Sequence, residues 1–216
     1  MSEVPVALLA SGSGSNVQAL INAAALPGHP ARIVLVASDR RDALALERAR
    51  RCGIPAVHVP RRGHPDRASY DAAMVEVLRQ HGAEWVFLAG YMRLVSPTFL
   101  AAFPQRVLNV HPALLPCFPG LDAQQQALDA GVRVSGCTIH LVDEGTDTGP
   151  IVAQGAVPVL PDDDLEALRR RILRMEHELF PRVLRWAVEG RIRVEGRRVQ
   201  LDLPPDETAF RYDPRA

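Results

Sequence analysis

Val6-Ala7-Leu8-Leu9-Ala10-Ser11-Gly12-Ser13-Gly14-Ser15-Asn16 passes from a short apolar run through a Gly/Ser turn into a helix-like segment, Asn16–Ala25. The same alternation repeats down the first half of the chain. Arg32–Ser38 reads as a strand, and Ala43–Cys52 as a helix stopped by Gly53. Ala56–Val59 is a short strand, Arg67–His81 a helix stopped by Gly82, and Trp85–Ala89 and Val107–Val110 are two further strands. Short buried runs alternating with helices predict βαβ units and a parallel sheet covered on both faces. In such sheets ligands bind outside the carboxyl ends of the strands. The fold class expected is therefore α/β, a doubly wound, mostly parallel, Rossmann-like sheet.

The second half changes character. Asp122–Ala130 predicts a helix ending at Gly131, and Val132–Val142 and Pro150–Val159 two long strands flanking a polar loop. Arg169–Ala187 is a long amphipathic helix entered through Asp162-Asp163-Asp164, and a hairpin of Ile192–Val194 and Val199–Leu201 turns at Glu195-Gly196. This is an antiparallel extension plus a long helix. After Pro204 the chain is polar, a composition that suits disorder.

The 216 residues suffice for one sizeable core, and 47% hydrophobic with 23% charged residues is ordinary globular composition. Twenty-five basic and 25 acidic residues cancel, which speaks against a general nucleic-acid or membrane-surface binder. No apolar stretch is long enough to span a membrane. Met1-Ser2-Glu3-Val4-Pro5 lacks the basic start of a signal peptide. Cys52, Cys117 and Cys137 form no C-x-x-C pair, and their odd number argues against a disulfide framework. A reducing cytoplasm is the expected setting. There is no H-x-x-x-H, H-E-x-x-H or Cys/His cluster, so no metal is expected.

Three segments carry candidate chemistry. The Ser11–Asn16 loop exposes backbone N–H groups and a helix N-terminus, an anion site. A third glycine is missing from G-x-G-x-x-G because Val17 stands there, and no G-K-[ST] follows, so a single small phosphate fits better than a dinucleotide. The blander reading is a tight turn capped by Ser15 or Asn16. Ala89-Gly90-Tyr91-Met92-Arg93-Leu94-Val95-Ser96-Pro97 follows a strand and suits a flat heteroaromatic ligand that also bonds to backbone. Ser96 and Pro97 equally suit the cap and first residue of a helix.

The third is Leu108-Asn109-Val110-His111-Pro112, a buried strand with two polar residues at alternate positions. They face one side, where a carboxamide and an imidazole can hold an oxyanion and move a proton. Asp147, hemmed between Gly145 and Gly149, is expected to pair with His111, raise its pKa and favour imidazolium. Asp143 and Glu144 read more simply as a solvated acidic turn. His140 reads as structural or supporting, the remaining histidines as surface residues, and Cys117 as no nucleophile.

The segments ASGSGSN, LAGYMRLVSP, LNVHPALLPCFPG and DEGTDTGPIVAQ, in this order, resemble the folate-dependent glycinamide ribonucleotide formyltransferase family of purine synthesis, from about Val4 to about Leu201. The resemblance implies one formyltransferase domain over 1–203, with a phosphate-binding half (1–105), a catalytic and folate-binding half (106–203) and a polar tail (204–216). It implies formyl transfer from 10-formyltetrahydrofolate to the amine of 5′-phosphoribosylglycinamide, with these two small molecules as partners, no nucleic acid or membrane, and a monomer or homodimer. Gly14, Ser15 and Asn16 match the phosphate loop, and Leu173, Arg174, Met175 and Glu176 a helical stretch contacting the ribonucleotide. Arg67 matches a folate-binding arginine, Met92, Arg93, Leu94 and Val95 the pterin segment, and Asp143, Glu144, Gly145, Thr146 and Asp147 the loop closing over the pterin. Asn109, His111 and Asp147 match the catalytic trio, Asn109 also meeting the folate. Asp122-Ala123-Gln124-Gln125-Gln126 stands where many members carry histidine, and Cys117 where lysine is common. Methionyl-tRNA formyltransferase and formyltetrahydrofolate deformylase share the trio but carry further domains, and chain length disfavours both. A non-catalytic nucleotide-binding regulator would explain the glycine loop but not the trio.

Overall fold

A computed structural model describes residues 3–205 and 207–214. The chain divides into two compact units, Met1–Asn109 and Val110–Ala216.

In the first unit the apolar runs become β1 (Val4–Leu9), β2 (Ala31–Ser38), β3 (Ala56–His58), β4 (Trp85–Leu88) and β5 (Val107–His111, whose last two residues lie past the division). They lie in the order β5-β4-β1-β2-β3, all parallel. Helices α1 (Ser15–Ala24), α2 (Leu44–Arg51), α3 (Arg67–Gln80) and α4 (Pro97–Ala102) make the crossovers. Buried Val6, Leu8, Leu9, Leu35, Val36, Phe87 and Leu108 form the sheet's share of the core. Strands buried on both faces read as continuous apolar runs because neither face meets water. Strand order reverses at β1: β2 and β3 extend one way, β4 and β5 the other. The carboxyl ends of β1 and β4 therefore flank the crevice in which doubly wound sheets bind ligands. Asp66 and Ser69 form a reciprocal capping box at the start of α3, and the Ser96 side chain accepts from the Phe99 N–H at the start of α4. Both readings of the Ala89–Pro97 segment thus remain compatible, the helix cap being the one now visible.

In the second unit α5 (Ala123–Asp129) leads to β6 (Val134–Leu141) and β7 (Ile151–Pro158), an antiparallel pair. The long helix α6 (Leu165–Val188) is capped by Asp164, which accepts from the Ala167 N–H. It packs on β6 and β7 through a buried stripe of Leu168, Ile172, Met175, Leu179, Val183 and Trp186. Their three- and four-residue spacing is the amphipathic signature read from the sequence. Beneath the start of α6, Arg171 Nη2 donates to Asp163 Oδ1 at 2.9 Å and Nη1 to the Pro158 carbonyl at 3.1 Å. β8 (Ile192–Glu195) and β9 (Arg198–Leu201) form the expected hairpin as a separate two-stranded sheet.

The tail departs from expectation. Phe210–Tyr212 forms β10, paired parallel with β7. The edge of β7 offers unpaired backbone groups, and a three-residue segment with alternating aromatics satisfies them. His29 is also not a surface residue: it is buried, and its Nδ1 accepts from the Ala31 N–H at 3.1 Å.

Candidate active site

The glycine loop is shaped by contact with α2. Gly14 is the N-cap of α1, left-handed at φ 71°, with no side-chain cap bond. A Cβ there would lie 2.5 Å from Ala45 Cα, so only glycine fits the conformation and the approach. The capping role expected for Ser15 or Asn16 is corrected accordingly: the backbone turn itself starts the helix. The loop is fastened by the Ala45 N–H donating to the Gly12 carbonyl and by Arg48 Nε donating to the Ser13 carbonyl. Ser11 ties it to the end of β4. Its N–H donates to the Gly90 carbonyl, its hydroxyl donates to Asp39 at 2.7 Å, and the same oxygen accepts from the Met92 N–H at 2.9 Å.

These segments line a cavity of about 330 Å³ bounded by Ser11–Asn16, Arg40, Ala89, Gly90 and Met92. It holds a helix N-terminus and a guanidinium together, the two features a phosphate monoester needs. Arg40 was not singled out from sequence. Its signal, a cation two residues past the end of β2, is visible only once the strand ends are known to converge.

The proposed pterin residues are spread unevenly. Met92 and Leu94 are exposed, but Val95 is buried, leaving only its backbone for a ligand. Arg93 lies 5.0 Å above the Tyr70 ring and 3.8 Å from Asp39. Arg67 is the exposed first residue of α3.

The second unit holds the pairing expected of the polar strand end. His111 is buried, and its Nδ1 lies 3.3 Å from Asp147 Oδ2. The same carboxylate oxygen accepts from the Gly120 N–H at 2.8 Å. His111 Nε2 faces the Phe118 carbonyl at 2.8 Å. Asn109 stands two residues earlier on β5, and alternation puts both side chains on one side of the strand.

The other carboxylate oxygen, Oδ1, lies 3.6 Å from Nε2 of buried His140, beyond hydrogen-bond length but within ion-pair reach. His140 Nδ1 faces the Leu141 carbonyl at 2.9 Å. One carboxylate is therefore flanked by two buried imidazoles.

The loop walls explain how Asp147 arrives there. Asp143 accepts from the Gly145 N–H and from the Thr148 hydroxyl, so it folds the acid loop and is more than a solvated turn. A Cβ on Gly149 would fall 1.7 Å from the Leu141 carbonyl, which lets the loop return tightly against β6. Asp147 itself adopts φ 54°, a conformation that asparagine and aspartate tolerate better than most residues. Across the loop after His111, Thr138 donates to the Ala113 carbonyl and accepts from the Leu115 N–H, and Gln154 donates to the Leu115 carbonyl.

The charge states differ from expectation in one respect. Burial pushes the His111 imidazole below its ordinary value, and His140 adds to the fall, while the Phe118 carbonyl and Asp147 pull upward without overcoming it. The free protein thus carries neutral His111 near pH 7, not the imidazolium expected from its carboxylate partner. Burial alone would raise the Asp147 carboxyl; His140, the Gly120 N–H and His111 outweigh it and hold the group below the usual range, ionised.

On α6, Leu173 is half-buried, Arg174 exposed, Met175 part of the core and Glu176 buried. Among the described residues no group of three or more His, Cys, Asp or Glu could hold a metal ion. Among the described residues no helix is long and apolar enough to cross a membrane.

The family model described as formyl transferase matches residues 4–184. The chain belongs to the formyl transferase family. It is 42% identical over 179 residues to a phosphoribosylglycinamide formyltransferase of Bacillus subtilis (strain 168), covering 83% of this chain and 92% of that one. It is 48% identical over 190 residues to a trifunctional purine biosynthetic protein adenosine-3 of Drosophila pseudoobscura pseudoobscura, covering 87% of this chain but 14% of that protein's length. The crystal structure of glycinamide ribonucleotide transformylase 1 from Symbiobacterium toebii is similar at a TM-score of 0.90 and 51% identity, over 92% and 94% of the two chains. For a formyl transferase, two groups found in the structure lay outside the reach of sequence: the Phe118 carbonyl and the Gly120 N–H. Backbone groups carry no residue-type signal.

Proposed function

We propose that this formyl transferase moves a formyl group from 10-formyltetrahydrofolate to the amine of 5′-phosphoribosylglycinamide, acting in purine synthesis through one catalytic domain over 1–203. The observation that carries the reading is the Asp147 carboxylate held against buried His111 by the Gly120 N–H, with Asn109 two residues before the histidine on β5. Residues 1–105 would hold the substrate phosphate at Gly14, Ser15, Asn16 and Arg40. Leu173, Arg174 and the Glu176 carboxylate would meet the ribonucleotide. Arg67, the backbone of Met92–Val95 and the loop Asp143–Asp147 would hold the folate. The three free cysteines suit a reducing cytoplasm.

In the chemistry that follows, the amine attacks the formyl carbon and negative charge develops on the formyl oxygen. Asn109 donates a hydrogen bond to that oxygen. His111 starts neutral. An oxygen already stands at each of its ring nitrogens, so the imidazolium form finds an acceptor for both N–H groups. Negative charge growing beside the ring raises its proton affinity and tips the balance burial had set. The proton that leaves the attacking amine is taken up by the His111–Asp147 pair, which becomes imidazolium beside ionised Asp147, and passes from it to the departing folate nitrogen as the bond from that nitrogen to the formyl carbon breaks.

The test is an assay of the purified protein with both substrates and no added metal, following tetrahydrofolate and formylated ribonucleotide. Asn109→Ala should lower kcat by about 10²–10³, or roughly 3–4 kcal/mol. Folate hydrolysis without formylation of the amine, or no turnover by the folded protein, would refute the proposal.

A further inference from the structure

The β6–β7 pair does not run evenly into the acid loop. Ile139 faces Ala153 and His140 faces Ile151, so Val152 is an extra residue on β7. Such bulges often lie beside an active site. Opposite this one stands an imidazole 1% exposed, whose Nε2 lies 3.6 Å from the Asp147 oxygen that does not face His111. Its Nδ1 lies against the Leu141 carbonyl at 2.9 Å, which fixes the ring's rotation.

We propose that His140 is a positioning residue for formyl transfer: standing opposite the β7 bulge, it holds Asp147 from behind, so that the other carboxylate oxygen meets His111 and the Gly120 N–H. The proposal rests on the reading of His111 and Asp147 as catalytic groups. The charged and titratable groups facing the carboxylate are His111 from β5 and His140 from β6, with the Gly120 N–H beside them. His140 matters in two ways. It favours the ionised Asp147 against the penalty of burial, and it works against proton uptake by His111. Loss of its Nε2 should therefore let the carboxylate rotate, raise the pH at which Asp147 takes a proton, and raise the proton affinity of His111.

Two isosteric substitutions separate the ring's two contacts. The amide of His140→Gln reaches the place of Nε2 and can still donate toward Asp147. That of His140→Asn replaces only Nδ1 and keeps the Leu141 side. On the proposal, His140→Gln keeps kcat near that of the parent. His140→Asn lowers kcat by up to about a hundredfold, the scale of a misplaced catalytic group, with both KM values nearly unchanged, and its acid limb in kcat moves to higher pH. If His140 served only the Leu141 contact, the order of the two variants would reverse, and equal activity in both would overturn the proposal as well. His140→Asn combined with Asp147→Asn should be no slower than Asp147→Asn alone. Asp147→Asn by itself is the control on the underlying reading. If it keeps full kcat, the catalytic assignment fails; if it is slow while His140→Asn is not, only the role of His140 fails. A measurement independent of how the His140 variants fold is the ring ¹⁵N spectrum of Asp147→Asn. The signals of both His111 and His140 should move, and an unmoved His140 overturns the proposal.

Discussion

Replacing Gly14 with alanine tests whether the glycine loop is set by contact with α2. Two costs are readable from the structure. The residue sits at φ 71°, where a non-glycine residue costs about 1–2 kcal/mol. The new Cβ would also lie 2.5 Å from Ala45 Cα and 2.7 Å from its Cβ. These are a backbone and a rigid methyl that cannot swing aside, so overpacking adds about 1–3 kcal/mol. Together the loss is about 2–5 kcal/mol. Gly28→Ala is the matched control: φ is 74°, but nothing lies within 4 Å of the added Cβ, so only the first cost applies. The unfolded-state gain of a glycine-to-alanine change is common to both. Thermal unfolding should place Gly14→Ala below Gly28→Ala by roughly 2–12 °C, at about 2–4 °C per kcal/mol for a chain of this size. Because the clash pushes on the wall that bears Ser15, Asn16 and Arg40, KM for the ribonucleotide should rise while KM for the formyl donor holds. Equal melting temperatures for the two variants would show that the approach of α2 does not shape the loop.

Two further perturbations follow from the second unit. Asp163 is held below the ordinary carboxylate range chiefly by its hydrogen bond with Arg171. A lowered folded value means stability present above the unfolded value and lost as pH falls through the folded one. Denaturant titrations should therefore show Asp163→Asn about 2 kcal/mol less stable at pH 7, with the gap to the parent closing below about pH 4; a gap independent of pH would contradict this. Thr138→Val removes the donor to the Ala113 carbonyl and the acceptor of the Leu115 N–H, at about 1–3 kcal/mol for buried groups left unsatisfied. Hydrogen exchange at the Leu115 amide should accelerate and kcat should fall, since this loop carries the Phe118 carbonyl that faces His111; unchanged exchange would show that another group holds the loop.

Features that depend on residue type and local period were legible in the chain. Apolar runs of four to eight residues between glycine-ended helices placed the parallel strands of the first unit, and a three- and four-residue stripe placed α6. The alternation of Asn109 and His111 placed two polar side chains on one side of β5 because the strand period is two. What escaped depends on groups without such a signature. β10 is three residues long, too short for periodicity to register, and forms because β7 offers an open edge. His140 read as structural or supporting, and its nearness to Asp147 escaped because it depends on how the acid loop folds back, which composition does not show. The halves drawn at 105/106, just before β5, and the division at 109/110, within it, differ by a few residues, a scale below what composition can resolve. Arg40 was silent because its relevance comes from convergence of strand ends, not from its neighbours in sequence.

The charge on His111 escaped for a different reason, and it bears most on function. Pairing with a carboxylate was visible in the residues, and pairing alone raises an imidazole's proton affinity. Burial acts in the opposite sense and acts on both partners: it disfavours imidazolium at His111 and carboxylate at Asp147. Asp147 resists because the Gly120 N–H and two imidazoles converge on its two oxygens, whereas His111 has a partner that is itself shared with His140. Burial thus separates the pair into an ionised acid and a neutral base, each in the state the reaction needs at its start. A histidine already protonated could not take up a proton from the attacking amine. One held neutral by burial but facing an oxygen at each nitrogen is ready to accept a proton once negative charge appears nearby. The differential between those two states is where transition-state stabilisation arises, and it is set by enclosure of the strand end as much as by the identity of the three residues.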